Sequence, residues 1–378
     1  MVVSADYNNA FIIKPIDGSC SNSNNNTFYL CYILITGLLC RGLMMLEHMI
    51  ENLDIFMCPA CEGDLEIDHE DIVCLECHNS YQIEDGIPIL FWPNECNSSK
   101  KDVTDIMKSF YEKTPFPNYE DLESVGDLIE KAKRSIFMYL LNEQVPFNIR
   151  VLEVGCGTGQ LTNFLSSASR IVFGVDMCLN SLKLAQNFKE KNNLKRAGFY
   201  QMNLFRPVFK DESFPLIICS GVLHHTSDPF RGFQSISRLV KKGGYIVIGL
   251  YNKYGRILTD IRRTIFKITG ERFMFLDPQL RRDDISDTKK HAWFLDQYKN
   301  PHESKHSIEE VLSWFDSSGF DFINSIPKSK AFQAFSENEL LFKQNLRGNW
   351  IDHILVQAKL IFTASREGGA FLMIGRRR

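Results

Sequence analysis

No stretch constrains the fold of this chain more than residues 149–160. An apolar run from Ile149 to Val154 reads as a buried parallel strand. Three glycines, Gly155, Gly157 and Gly159, follow at alternate positions, and a helical pattern begins at Gln160-Leu161. Glycines let a backbone turn sharply and approach a ligand with no Cβ in the way. The first N–H groups of the next helix point at whatever lies there. Three alternating glycines alone say little about the ligand. Glu153, two residues before the first of them, says more. A carboxylate there would repel a pyrophosphate and suits a ligand with a cationic amino end.

The chain has 378 residues, enough for one large domain or two. A 44% hydrophobic content allows a substantial core. The net charge of -3 removes any bulk electrostatic case for nucleic acid and leaves room only for a local patch. Of eleven cysteines, four form two Cys-x-x-Cys pairs. That pattern suits a metal in a reducing compartment better than disulfides, so a cytoplasmic location is expected. The chain reads as four regions: an extension (1–53), a small cysteine-bearing unit (54–93), a linker with helices (94–147) and a larger α/β domain (148–378). Insertions interrupt the last near 252–306 and 327–369.

The extension is polar and Asn-rich to residue 27 and lacks periodicity, so it reads as disordered. Residues 28–40 are apolar, Arg41 interrupts, and residues 43–46 resume. The uninterrupted run is shorter than the ~18 residues that favour a membrane span. Only Lys14 precedes it, whereas a signal peptide wants a basic leader. Three readings stand: an unused extension with a working start at Met44, Met45 or Met49; a helix packed on the domain or lying in an interface; and a membrane anchor.

Residues 56–91 form the small unit. Cys58 and Cys61, then Cys74 and Cys77, are spaced as two knuckles that can share one tetrahedral Zn²⁺. The stretch between the pairs has hairpin length, with arms at 65–67 and 72–73. Four cysteines leave no open position, so the metal is expected to be structural. It would replace a core that so short a segment cannot build. His69 and His78 read as solvent-facing neighbours, not ligands. With Tyr81 to Leu90 behind them, the cysteine pairs resemble the small zinc-ribbon proteins that activate certain RNA and protein methyltransferases. Related ribbons occur fused ahead of bacterial methyltransferases. The resemblance implies a ribbon that supports or docks onto a methyltransferase.

A polar linker (93–101) and a helical pattern (103–111) come next. Phe110, Tyr111, Pro115, Phe116, Pro117 and Tyr119 then make an aromatic segment stiffened by two prolines. It reads either as a core-facing connector or as a lid over the cofactor.

From residue 148 strands and helices alternate: strand 149–154, helix 160–167, strand 171–175, helix 181–192, strands 198–202 and 216–220, helix 230–240, strand 245–250. This builds a parallel sheet with right-handed crossovers that binds ligands at the carboxyl ends of its strands. Here the chain resembles a class I S-adenosylmethionine (SAM)-dependent methyltransferase, in the style of the group that includes quinone C-methyltransferases. Glu153, Gly155, Cys156, Gly157, Thr158 and Gly159 match the first SAM motif. Asp176 matches the carboxylate that accepts the ribose hydroxyls. Met177 implies packing on the adenine face, and Asn203, followed by Leu204, falls near the adenine amino group. Cys219 to His225 match the fourth-strand motif and residues 242–245 the turn before the fifth strand. The fold implied is Rossmann-like: a seven-stranded, mostly parallel sheet with a terminal antiparallel hairpin, preceded by the β-rich ribbon. The plainer alternatives are Asp176 as a helix cap, Met177 as core and Asn203 as a turn residue.

The fourth strand lacks the Asn/Asp-Pro-Pro-aromatic tetrapeptide that grips a planar amide or exocyclic amine, which lowers the odds of adenine-N6 or glutamine methylation. Asp228-Pro229 reads as a turn entering a helix. Arg262-Arg263 and Arg281-Arg282 read as a solvated face or a dock for an acidic substrate. Ser307 and Glu310 predict a capping box for helix 308–317, ended by Gly319. Strands are expected at 320–326 and 370–374, a helix at 350–362, and a solvated tail at 376–378. His225, His224 and Tyr251, in that order, are the candidate bases for an oxygen or carbon acceptor. Three functions remain: a methyltransferase acting on a small or lipid-like acceptor, an RNA methyltransferase docking through the ribbon, and a scaffold that binds SAM without turnover.

Overall fold

The computed structural model describes residues 46–68, 71–94, 102–115, 119, 122–363 and 368–378. The extension to residue 45, His69, most of the 93–101 linker and the 116–118 part of the proline segment lie outside the described residues.

Residues Glu47–Ile50 form a short helical turn, α1. Its Leu46, His48 and Met49 are buried, and His48 Nδ1 shares a hydrogen bond of 2.7 Å with the Tyr200 hydroxyl. The cysteine segment follows: β1 (Leu65–Asp68) and β2 (Asp71–Cys74) form the expected hairpin, joined by β3 (Ser80–Tyr81). A second small ladder pairs β4 (Ile83–Glu84) with β5 (Ile87–Pro88).

Three helices lead into the sheet. α2 (Val103–Lys113) is capped by Asp102, α3 (Val125–Lys133) by a Ser124/Asp127 capping box, and α4 (Ile136–Gln144) by Ser135. The alternating unit is β6 (Arg150–Val154), α5 (Gln160–Ser167), β7 (Ile171–Asp176), α6 (Leu179–Lys191), β8 (Ala197–Gln201), β9 (Phe214–Ser220), α7 (Pro229–Ser237) and β10 (Val240–Tyr251). Asp228 caps α7 with Pro229 at its first position, as the sequence implies. After β10 come α8 (Ile257–Thr269), α9 (Asp287–Phe294), α10 (Ile308–Ser317), β11 (Phe320–Ile326), α11 (Trp350–Thr363) and β12 (Ala370–Arg377).

The seven-stranded sheet runs β11-β12-β10-β9-β6-β7-β8. β8 to β10 pair in parallel, and β12 lies antiparallel between β10 and β11. The chain leaves β6 toward β7 on one side and returns at β9 on the other, which opens a crevice at their carboxyl ends. Nearly every residue of β6, β7 and β9 is buried, as the unbroken apolar runs require of strands covered on both faces.

The cysteine segment does not stand apart from this sheet. Phe56 bridges to Phe209, Ile89 pairs beside Gln201 at the β8 edge, and Met57 N donates to Val208 O at 2.8 Å. Phe56, Cys58, Leu65, Ile72 and Tyr81 share one buried cluster with Phe173, Tyr200 and Phe209. A metal there would brace a core that is already joined to the sheet; it would not substitute for one.

Two further expectations change. The terminal arginines are not a free tail. Arg376 and Arg377 belong to β12, Arg377 donates to the Arg238 carbonyl at 2.8 Å, and Arg378 pairs with Asp321 at 2.8 Å. Only half of the capping box forms on α10. Ser307 accepts the Glu310 N–H at 3.2 Å, but the Glu310 carboxylate reaches His306 Nδ1 at 2.8 Å.

Candidate active site

The four cysteine sulfurs lie within 4.8 Å of one another. Cys58 and Cys77 Sγ are 3.7 Å apart, Cys61 and Cys74 Sγ 3.5 Å. Sulfurs bound at ~2.3 Å to one tetrahedral ion stand about 3.8 Å apart, so the set fits such an ion. Glu62 and His78, one residue past each pair, take left-handed backbone as tight knuckles demand. The N–H groups of Ala60 and Glu76 approach Cys58 and Cys74 Sγ at 3.4 Å, which favours thiolates.

The crevice holds a cavity of about 380 Å³. One end is built by motif residues. Glu153, Gly155, Cys156, Gly157, Asp176, Met177, Asn203, Leu204 and Ser220 all line it. Gly155 is indispensable in shape: its φ is +70°, and a Cβ there would stand 2.1 Å from Val222. The Asp176 carboxylate accepts the N–H of Gly157 and that of Cys178, each at 2.8 Å. Those bonds aim it into the cavity and hold the glycine loop to the end of β7. Glu153 accepts the Thr162 hydroxyl at 2.5 Å, and burial pushes its carboxyl up to about 7. Burial likewise raises Asp176. Two carboxyl groups desolvated in one cavity await a cationic or hydroxyl-bearing ligand.

Asn203 is tied differently. Its amide donates to Trp92 O and Asn94 Oδ1, both at 2.9 Å, and its oxygen accepts Phe205 N at 3.1 Å. It fastens the exit of the cysteine segment to the cavity floor. Thr158, Gly159 and His224 match motif positions but do not line the cavity. Gly159 instead admits Phe199 and Ala185 against α5, where a Cβ would clash at 2.5 Å.

The other end of the cavity is lined by Tyr111, His225, Thr226, Tyr251, Trp293, Asp296 and Gln297. His225 Nδ1 lies 2.8 Å from the His302 carbonyl oxygen. A carbonyl only accepts, so Nδ1 carries the proton and Nε2 keeps a lone pair. Burial lowers its pKa, which keeps the ring neutral. His224 stacks behind, 4.0 Å from the Tyr251 ring and 4.2 Å from His225, with both ring nitrogens unpartnered. The Tyr111 hydroxyl donates to Asp296 at 2.9 Å and accepts from Asn300 at 3.0 Å. Gln297 donates to the Tyr251 hydroxyl at 2.9 Å and to Asp296 at 2.8 Å. Behind this wall Arg256 and Glu303 form a buried ion pair; Arg256 also bonds Gln297 and lies 3.9 Å over the Tyr251 ring. Breaking such a pair from one side costs about 3–5 kcal/mol. Arg263 joins the same pair at 2.8 Å, and Arg282 pairs with Asp284, so neither offers an open dock for an acid.

Asp296 and Gln297 were not legible as site residues. They sit in a π-helical turn, Leu295–Lys299, that ends α9. Such turns gather at functional sites but have no sequence signature. α2 completes the cavity with Thr104, Met107 and Tyr111. Glu112 holds it in place by accepting Leu179 N at 2.8 Å and Asn180 N at 3.0 Å at the start of α6.

Residues 152–248 match a family model described as a methyltransferase domain. That stretch runs from β6 into β10 and takes in the glycine loop and Asp176, so this part of the chain is similar to methyltransferase domains. Among relatives, an uncharacterized protein of Synechococcus sp. is 28% identical over 198 residues, 46% of this chain and 48% of that protein. The ubiquinone biosynthesis O-methyltransferase of Coxiella burnetii is 31% identical over 126 residues, 33% of this chain and 50% of that enzyme. The chain thus spans about half the length of the curated relatives it matches. The SAM-bound magnesium protoporphyrin IX methyltransferase of Synechocystis superposes over 75% of this chain and all of its own, with 12% identity and a TM-score of 0.43.

Proposed function

We propose that the chain is a SAM-dependent methyltransferase with a structural zinc on Cys58, Cys61, Cys74 and Cys77, acting on a small or lipid-like acceptor. One observation carries the reading: a single cavity holds Glu153 and Asp176 beside the glycine loop at one end and a neutral, carbonyl-anchored His225 at the other. SAM, when bound, supplies a methyl group already activated by its sulfonium. Glu153 would receive the amino end of the cofactor and Asp176 the ribose hydroxyls. Met177 and Leu204 would pack near the base. His225 Nε2 would take the proton of the acceptor hydroxyl, and His302 would hold the imidazole in that tautomer. Tyr251, Tyr111 and Trp293 would orient the acceptor and exclude water. The relatedness to a ubiquinone O-methyltransferase supports a phenolic oxygen as the accepting atom. A cavity of this size and a net charge of -3 favour a small acceptor over RNA.

The test is calorimetry with SAM on zinc-loaded protein, then incubation with labelled SAM and fractionated cell extract. Micromolar binding with label in a solvent-extractable metabolite is expected. Label in RNA would replace the acceptor class, and binding without transfer anywhere would leave a scaffold.

A further inference from the structure

Two helices outside the sheet turn apolar stripes to the solvent. α8 buries Phe266 against Phe294 and Tyr298, yet Ile257, Ile261 and Ile268 stand on its far side, Ile268 79% exposed. The turn after it presents Phe273 and Phe275. α11 buries His353, Gln357 and Leu360 and turns Trp350, Ile354 and Phe362 outward, Phe362 again 79% exposed. The two helices are in contact. A surface helix ordinarily shows the reverse pattern, and a contiguous exposed apolar face marks a partner.

Charge selects the partner. Residues 252–306 carry twelve Lys and Arg against eight Asp and Glu, whereas the rest of the chain carries 31 against 38; Arg256, Arg263, Arg282 and Lys305 among the twelve are taken up in ion pairs. Lys267 and Arg272 lie exposed among the outward isoleucines and phenylalanines, and Lys359 on the outer side of α11. Two copies meeting through this face would set cation against cation. An anionic lipid interface satisfies both the apolar stripe and the basic residues within it. Among the described residues no helix is long and apolar enough to cross a membrane, so the attachment lies along the surface.

We propose that the outer face of α8, the 270–276 turn and α11 docks on anionic lipid membranes. The docking stands independently of methyl transfer; its use rests on that reading. The small core under α8 includes Trp293 and the 294–298 turn, whose inner side is the acceptor wall. A lipid-like acceptor would therefore meet the cavity one helix away from the bilayer.

Flotation of the full-length protein with vesicles of phosphatidylcholine and phosphatidylglycerol in equal parts, against pure phosphatidylcholine, tests it. The chain should float with the anionic vesicles, and raised salt should release it. Lys267→Glu with Arg272→Glu should weaken partition roughly 30-fold or more, and Ile268→Ser with Phe362→Ser roughly tenfold or more. SAM calorimetry should be unchanged in all variants, which verifies their folding. The proposal is overturned if the chain floats with neither vesicle, floats equally with both, or floats regardless of the four substitutions. It is equally overturned if Phe362→Ser turns a stable dimer into a monomer. Failure of the native protein to bind SAM would sink the methyl-transfer reading and leave the docking result standing.

Discussion

The two ends of the cavity are built in opposite ways. The donor end draws mostly on strand–loop units between Glu153 and Leu204, with Ser220 added from β9; Asp176 is held by backbone N–H groups nearby and Glu153 by the Thr162 hydroxyl. The acceptor end gathers Tyr111 from α2, His225 from the turn after β9, Tyr251 from β10 and Asp296 from the turn after α9. Its side chains hold one another: Tyr111 with Asp296, Asp296 with Gln297, Gln297 with Tyr251. A backbone-held site keeps its shape when one side chain is lost. A mutually held site transmits each loss to its neighbours. Donor binding should therefore respond locally to substitution, and acceptor binding collectively.

Removing the proposed zinc should have the largest effect, because structural zinc contributes about 10–16 kcal/mol of apparent binding energy in isolated fingers. Chelation should lower Tm by roughly 10 °C or more and weaken SAM binding, since Asn203 is fastened to Trp92 and Asn94 just beyond the ribbon. Scanning calorimetry with and without chelator checks both. Unchanged SAM affinity after zinc loss would show the ribbon to be independent of the donor end.

His225→Gln should lower kcat by about 10²–10⁴-fold and leave the Kd for SAM as it was, measured by single turnover with labelled cofactor. A matching loss of SAM affinity would break the division into two ends. In the native enzyme the base form of His225 is the active one. Its lowered pKa means that kcat at saturating SAM should rise with pH only below the usual histidine range and be flat through neutrality.

At the donor end, Asp176→Ala should cost SAM about 100-fold in affinity, the value of two charge-assisted hydrogen bonds, with acceptor KM unaffected. The pH dependence of binding sharpens the same point. The cofactor ammonium needs Glu153 ionised, and Glu153 ionises at about 7. Affinity should climb about tenfold per pH unit below 7 and level above it. It should fall again as the cofactor amine loses its proton near ~8. Glu153→Gln should abolish the rising limb. For the ligand-free protein the sign is opposite: the folded state holds this proton more tightly, so the stabilisation is present at low pH and lost as pH rises through 7.

The smallest effect should come from Tyr111→Phe. Loss of one hydroxyl costs about 1 kcal/mol, so acceptor KM should rise about fivefold with SAM affinity unchanged. If Asp296→Ala and Tyr111→Phe are additive in a double-mutant cycle, the collective picture of the acceptor end fails.

Much of the donor end was legible because its rules are local. Apolar runs, alternating glycines and a carboxylate at a strand end all lie within one strand–turn–helix unit, where spacing fixes geometry. Helices 160–167 and 308–317 came out with the bounds expected. Even there, spacing could not tell that Thr158 and Gly159 face the packing side of the loop, nor that Asn203 would be engaged by Trp92 and Asn94. The capping box at Ser307 misled because His306, buried by neighbours no pattern announces, outbid the backbone N–H for Glu310.

The sequence by itself determined the alternation of strands and helices, the spacing of the cysteine knuckles and the donor loop. Period, glycine conformation and ligand spacing act over a few residues and do not depend on what packs above. Only the tertiary structure decided the acceptor wall and the outward stripes of α8 and α11. Asp296 meets Tyr111 across 185 positions of chain. Which side of a helix such as α11 is buried, when both sides carry apolar residues, is set by the surface it meets and by nothing in its own period.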